Sequence, residues 1–244
     1  MDQNVKSIFD INEEVFQEIK KEYVRPYQIM DQNEFNKVSL KHLNEMVLVD
    51  SKGKNGFRIT DENHHFIEVV FAYLNRNMDD KTLVYNGGFK PVQLSLEKGL
   101  LFSGSFGIGK TLMLRFINKY ARPLGLTGRF ASARTIYETK KQDLINVVGS
   151  EKYGLFIDDL GEEPNLLVNY GSEETPVARL LKERTEAWET LSESPKLFIS
   201  TNLKVRSSDS NLITLEKLYG GRIASRLYGA CNVMYQRHTT DFRV

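Results

Sequence analysis

Gly104-Ser105-Phe106-Gly107-Ile108-Gly109-Lys110-Thr111 is a glycine-rich octapeptide set between two unlike neighbours. The short apolar run 99–103 leads into it, and a helical segment, 112–120, follows it. A strand, a glycine loop and a helix in that order form a cradle for phosphate. The glycines let backbone N–H groups turn inward, and the helix N-terminus favours negative charge. At the end of the loop, Lys110 has the reach to meet β and γ phosphates, and Thr111 carries a hydroxyl suited to Mg²⁺. All eight residues from Gly104 to Thr111 are therefore candidate nucleotide contacts, with ATP and Mg²⁺ as the expected ligands. A fortuitous glycine-rich turn is the competing reading, and the strand-loop-helix context speaks against it.

Working outward, the chain alternates short apolar runs with helical stretches, the pattern of a parallel sheet with crossover helices. The runs are 99–103, 129–133, 153–157, 196–200 and 232–235. The spacing predicts an α/β fold whose core is a five-stranded parallel sheet flanked by helices. Further helices are expected over 135–148, and from Pro176 to about 191. Between them, 162–175 reads as a surface loop. N-terminal to the sheet, Ile11, Val15, Phe16, Ile19 and Tyr23 recur at helical spacing up to Pro26, and Phe35, Val38, Leu43, Met46 and Val47 mark a second amphipathic helix. A third helix, capped by Thr60 or Asp61 and running to 77, presents Phe66, Val69, Val70, Tyr73 and Leu74. The polar stretch 50–56 with its two glycines suggests a boundary: a small helical N-terminal domain, 1–52, for partner binding, and an ATPase domain, 53–244.

The chain's 244 residues suit one α/β core with a small accessory domain. Its 33 basic residues balance 32 acidic ones, so no overall basic field marks a nucleic-acid binder. Any such contact must come from a local patch or from assembly. Cys231 is the single cysteine, which rules out an internal disulfide, fits a reducing compartment and reads as a small core residue. No uncharged apolar run reaches the roughly 18 residues that span a bilayer, and the first residues lack an apolar signal core. A cytoplasmic location without membrane contact is the expectation. His64-His65 has no further His or Cys at ligand spacing and reads as surface, and Trp188 reads as packing.

Two carboxylates, Asp158-Asp159, follow the apolar run 153–157. That puts them at the carboxyl end of a buried strand, where open α/β sheets bind their ligands. Asp158 is the expected Mg²⁺ partner beside Thr111, and Asp159 is the candidate that orients or deprotonates the attacking water. The run 196–200 ends in Thr201-Asn202, whose neutral amide is suited to holding water or sensing a γ-phosphate. An Asn there is otherwise an ordinary turn former. Arg222 and Arg226 lie four apart on one side of a short helix. They read either as a solvated face or as an arginine finger for a neighbouring site. Arg179, Lys182 and Arg184 read first as a solvated helix face, and second as a surface toward another subunit or DNA.

These elements, in this order, resemble the AAA+ ATPases, and within them the bacterial helicase loaders of the DnaC type and the related IstB transposition ATPases. The resemblance runs from about residue 60 to 244. It is carried by Ile157-Asp158-Asp159-Leu160-Gly161-Glu162-Glu163, by Thr201-Asn202-Leu203, by Tyr219-Gly220-Gly221-Arg222-Ile223-Ala224-Ser225-Arg226-Leu227 and by the ending Asp241-Phe242-Arg243. It implies that Asn202 is the sensor 1 residue, Arg226 the arginine finger with Arg222 beside it, and Arg243 a C-terminal phosphate sensor. It also implies self-association through the AAA+ domains. Ser105-Phe106 departs from the Pro-Pro of many AAA+ loops. The interval 133–153 has room for one helix where family members carry an added helical element that meets single-stranded DNA, so direct DNA contact is left open.

Function on this reading is ATP-dependent loading of a replicative DNA helicase, with an IstB-like role beside a transposase as the alternative. A small-molecule kinase shares the loop chemistry, but Thr201-Asn202 and the arginine pair argue against it. An ATP switch without turnover is the remaining reading, because Asp159 is shorter than the catalytic Glu of many AAA+ enzymes.

Overall fold

The computed structural model describes residues 32–50, 64–75, 83–84, 92–120, 128–139, 143–144, 148, 154–164, 175–190 and 196–236. In chain order the helices are α1 (Gln32–Asp50), α2 (His64–Asn75), α3 (Lys110–Tyr120), α4 (Ala133–Glu138), α5 (Pro176–Thr190), α6 (Leu215–Tyr219) and α7 (Gly221–Ala230). The strands are β1 (Leu83–Val84), β2 (Val92–Gln93), β3 (Gly99–Gly104), β4 (Gly128–Ser132), β5 (Gly154–Asp158), β6 (Leu197–Thr201) and β7 (Cys231–Gln236).

β3 through β7 make one five-stranded sheet in the order β4-β5-β6-β3-β7, and every pairing in it is parallel. The expected α/β sheet flanked by helices is thus the fold. Its inner strands are apolar because both faces are covered: each residue of β3, β5 and β6 is buried. Side chains alternate between faces, so the strands feed two separate cores. On one face Leu101, Leu155, Ile157, Leu197, Ile199 and Val233 pack beneath α4, α5 and α7. On the other, Leu100, Phe102, Phe156, Phe198 and Met234 pack beneath α2 and α3. Aromatic rings dominate this second core: Phe156 stacks on Phe198 with centroids 4.5 Å apart, and Tyr73 meets Phe198 edge-on at 6.1 Å. Gly99 allows β3 and β6 their close approach, since a Cβ there would lie 1.8 Å from the Leu197 carbonyl oxygen.

Some elements differ from the sequence expectation. Where one helix is expected over 135–148, α4 spans Ala133–Glu138, and Leu144 and Val148 are helical again beyond it. Ser132 caps the start of α4 by accepting the Thr135 N–H, and Thr139 leaves helical geometry with its own N–H bonded to the Ile136 carbonyl. A two-stranded antiparallel sheet, β1 with β2, was not anticipated. Leu43 of α1 is fully buried in the aromatic-rich core, with Leu40 and Met46 packed against it. Leu43 and Met46 of that second amphipathic helix therefore pack on the chain's own α/β core. The first expected helix, the Thr60/Asp61 cap and the boundary stretch beyond Asp50 lie outside the described residues.

Arg184 is corrected: it is buried on α5 and donates from Nη2 to the Val148 carbonyl at 3.2 Å. Its long apolar stem and the demand of a buried carbonyl draw it inward. Arg179 is exposed and pairs with Glu183. Cys231 is buried, and desolvation raises its thiol to about 12. Among the described residues no helix is long and apolar enough to cross a membrane.

Candidate active site

The strand order brings the site together. β3 carries the glycine loop and β5 carries the two carboxylates, yet β6 lies between them. At about 4.8 Å per strand, the tips of β3 and β5 are roughly 10 Å apart, and the tip of β6 fills the gap.

Lys110 opens α3 and is buried. Its Nζ donates to the Gly104 and Ser105 carbonyl oxygens at 3.0 and 2.8 Å and to Asn202 Oδ1 at 2.8 Å. Asn202, just past β6, passes the contact on: its Nδ2 donates to Glu162 Oε1 at 2.9 Å. Thr111 Oγ1 donates to Asp158 Oδ1 at 2.9 Å, joining the first turn of α3 to the end of β5. Lys110, Thr111, Asp158 and Asn202 are thus brought into one cluster. In the loop itself Ile108 is buried, Phe106 is 60% exposed, and Gly107 and Gly109 hold positive φ of 80° and 88°.

Mg²⁺ with a nucleoside triphosphate fits this donor set. A Cβ placed on Gly109 would meet nothing within 4 Å, so the loop has open space beside it. One hydroxyl and one carboxylate in direct contact are hard oxygen donors of the kind Mg²⁺ takes alongside substrate phosphates. The α3 N-terminus favours an anion at the same place.

Asp159 has φ of 53° and is the only non-glycine at positive φ among the described residues; its N–H donates to Ser200 Oγ at 2.9 Å. Ser200 Oγ in turn donates to Asp158 Oδ1. Thr201 Oγ1 donates to the Leu160 carbonyl at 2.6 Å. Glu163, two residues past Gly161, is buried. It accepts the Gly161 N–H at 3.0 Å and the Tyr219 hydroxyl at 2.5 Å. Burial pushes its carboxyl above the usual range, against the lowering effect of those two donors. Sequence reasoning gave no role of their own to Ser200, Glu162, Glu163 and Tyr219. The polar tripeptide 200–202 at a strand tip was a usable signal, but nothing local connects Glu163 with Tyr219.

Arg226 and Arg222 are placed apart from the cluster and differ from each other. Arg226 Nη1 and Nη2 meet Glu186 Oε1 and Glu189 Oε2 of α5 at 2.6 and 3.2 Å, with the arginine side chain 12% exposed. Arg222, one turn earlier, is exposed. Because α7 leads directly into parallel strand β7, its N-terminal end and Arg222 lie toward the sheet's carboxyl end, the end that carries the glycine loop. Arg243 lies outside the described residues.

The fold and this geometry define a parallel α/β protein with a glycine-rich loop at the carboxyl end of a central strand. Among solved structures, the chain is similar to the crystal structure of the DnaC helicase loader, at 16% identity over 74% of this chain and 93% of that one with a TM-score of 0.46. It is also similar to that of DnaI, at 17% identity over 78% and 88% with a TM-score of 0.44. No protein-family model matches the chain, and no curated protein matches it.

Proposed function

We propose that the chain binds ATP with magnesium, hydrolyses it, and uses the cycle to load a replicative DNA helicase onto DNA. One observation carries the nucleotide reading: the start of α3, the end of β5 and the residue after β6 meet beside an open glycine loop, where Lys110 pairs with Asn202 and Thr111 with Asp158. Lys110 and the α3 N-terminus would bind the phosphates, and Thr111 with Asp158 would hold the metal. Bound there, Mg²⁺ neutralises charge on the phosphate oxygens. Asp159 would orient the attacking water. Asn202, anchored by Lys110 and Glu162, would present its amide to that water or to the γ-phosphate. Arg226 and Arg222, from a neighbouring copy, and Arg243 would complete the phosphate contacts. The loader role rests on the sequence resemblance, with a transposase as the alternative partner and single-stranded DNA as a further ligand.

Lys110→Ala should abolish tight ATP binding. Asp159→Asn should retain binding and lose turnover by about 10² or more. Equal ATP affinity in wild type and Lys110→Ala would sink the nucleotide assignment. ATPase assays with and without single-stranded DNA, beside co-purification of a replicative helicase, test the rest; capture of a transposase instead would move the protein to the alternative role.

A further inference from the structure

We infer that Ser200 is a positioning residue that sets both carboxylates of the site at once, an inference that rests on the magnesium-dependent ATPase reading above. Ser200 is fully buried on β6, the strand inserted between the glycine-loop strand and the carboxylate strand. Its hydroxyl works in both directions. As donor it meets Asp158 Oδ1, the same oxygen that receives Thr111 Oγ1, so two hydroxyls fix the rotation of that carboxylate. Both address Oδ1, which would leave Oδ2 to serve a bound magnesium ion. As acceptor it takes the Asp159 N–H at 2.9 Å.

The second contact matters because Asp159 holds φ of 53°, a left-handed geometry uncommon outside glycine that Asp bears more readily than most residues, and a fixed partner adds a constraint that keeps it there. Ser200 supplies that constraint twice, through Oγ to the Asp159 N–H and through its carbonyl oxygen to the Leu160 N–H at 2.8 Å. One residue thus fixes the rotation of the metal-side carboxylate and the backbone direction from which the Asp159 carboxylate departs. Hydroxyls and amides behind a metal ligand act in this way by orienting it, and losing one typically costs about 10- to 100-fold in metal affinity or activity.

Thr201 supplies the control. Its hydroxyl is equally buried and bonds the same turn, at the Leu160 carbonyl. A purely structural role would make the two residues equivalent. Nucleotide binding at equilibrium, read with a fluorescent ATP analogue as Mg²⁺ is titrated, is to be compared with the melting temperature of the nucleotide-free protein and with kcat and KM. Ser200→Ala should bind metal-free nucleotide like wild type, require about 10-fold more Mg²⁺ and lose kcat by about 10- to 100-fold with little change in KM. Ser200→Thr, which keeps the hydroxyl, should recover most of both losses. Ser200→Cys leaves no cavity and offers a weaker donor, and should repeat the loss even if the alanine variant does not fold. Thr201→Val should lower the melting temperature with the Mg²⁺ requirement unchanged. A wild-type Mg²⁺ requirement in Ser200→Ala or Ser200→Cys overturns the inference, as does a shift in Thr201→Val equal to theirs. If wild type itself shows no Mg²⁺-dependent nucleotide binding, the ATPase reading fails first and this one with it.

Discussion

Glu163 shows how one residue can set a pH dependence. Its carboxyl is buried, and desolvation outweighs two hydrogen bonds from the Gly161 N–H and the Tyr219 hydroxyl, so the folded protein holds that proton more tightly than the unfolded chain. The sign follows from proton counting. Where the folded state binds more protons, stability is present in full below the unfolded value, ordinarily 4.5, and falls as pH rises through the raised one. Glu163→Gln keeps an acceptor for the Gly161 N–H and a donor for the Tyr219 oxygen, and removes the titration. Its unfolding free energy should therefore gain on that of wild type as pH rises from 4 toward neutrality. A constant difference between the two across that range would show that Glu163 does not titrate with a raised value.

At the scale of elements, α7 is fastened to α5 by packing and by charge. Gly229 leaves room for the Trp188 ring, whose Cζ3 would lie 3.3 Å from a Cβ there, and Arg226 reaches both Glu186 and Glu189. The arginine that the family resemblance marks as the finger thus has a job within its own chain. To act on a neighbouring site it must leave two carboxylates, whereas Arg222 is exposed nearer the sheet's carboxyl end. Arg226→Ala should lower the melting temperature by a few degrees through lost stem packing and lost pairing. Arg222→Ala should leave it unchanged. Equal melting temperatures for wild type and Arg226→Ala would show that the clamp adds nothing to stability. Loss of ATPase in Arg222→Ala with the melting temperature kept would assign the exposed arginine to the site.

For the whole molecule, α1 changes where a partner-binding segment can end. Leu43 is buried in the aromatic-rich core, so the helix belongs to the packing of the α/β unit whatever else it touches. The proposed helicase-binding stripe is then Ile11, Val15, Phe16, Ile19 and Tyr23. Deleting residues 1–31 should leave ATP binding and melting temperature as in the full chain and abolish co-purification with the helicase. Deleting 1–52 should in addition destabilise the fold by about 2–5 kcal/mol, the scale of losing one buried leucine. Retained helicase capture without residues 1–31 would put the partner surface on the ATPase domain.

What the sequence determined by itself was what short stretches of chain can encode. The five apolar runs, the loop between β3 and α3, and the carboxylates at the end of β5 were legible because side-chain alternation, helical spacing and glycine geometry act within about twenty residues. Strand order was not legible, since a parallel crossover carries no local record of which strand will lie beside it. Only the tertiary structure put β6 between β3 and β5, and that insertion is what sets Asn202 on Lys110 and Ser200 on Asp158. The contacts that the sequence reading missed join residues far apart in the chain: Ser200 to Asp158 across 42 positions, Arg226 to Glu186 across 40 and Tyr219 to Glu163 across 56. Each is the way a buried or half-buried polar group, once packing has taken it from water, regains a partner, and that demand arises only when distant elements close over it.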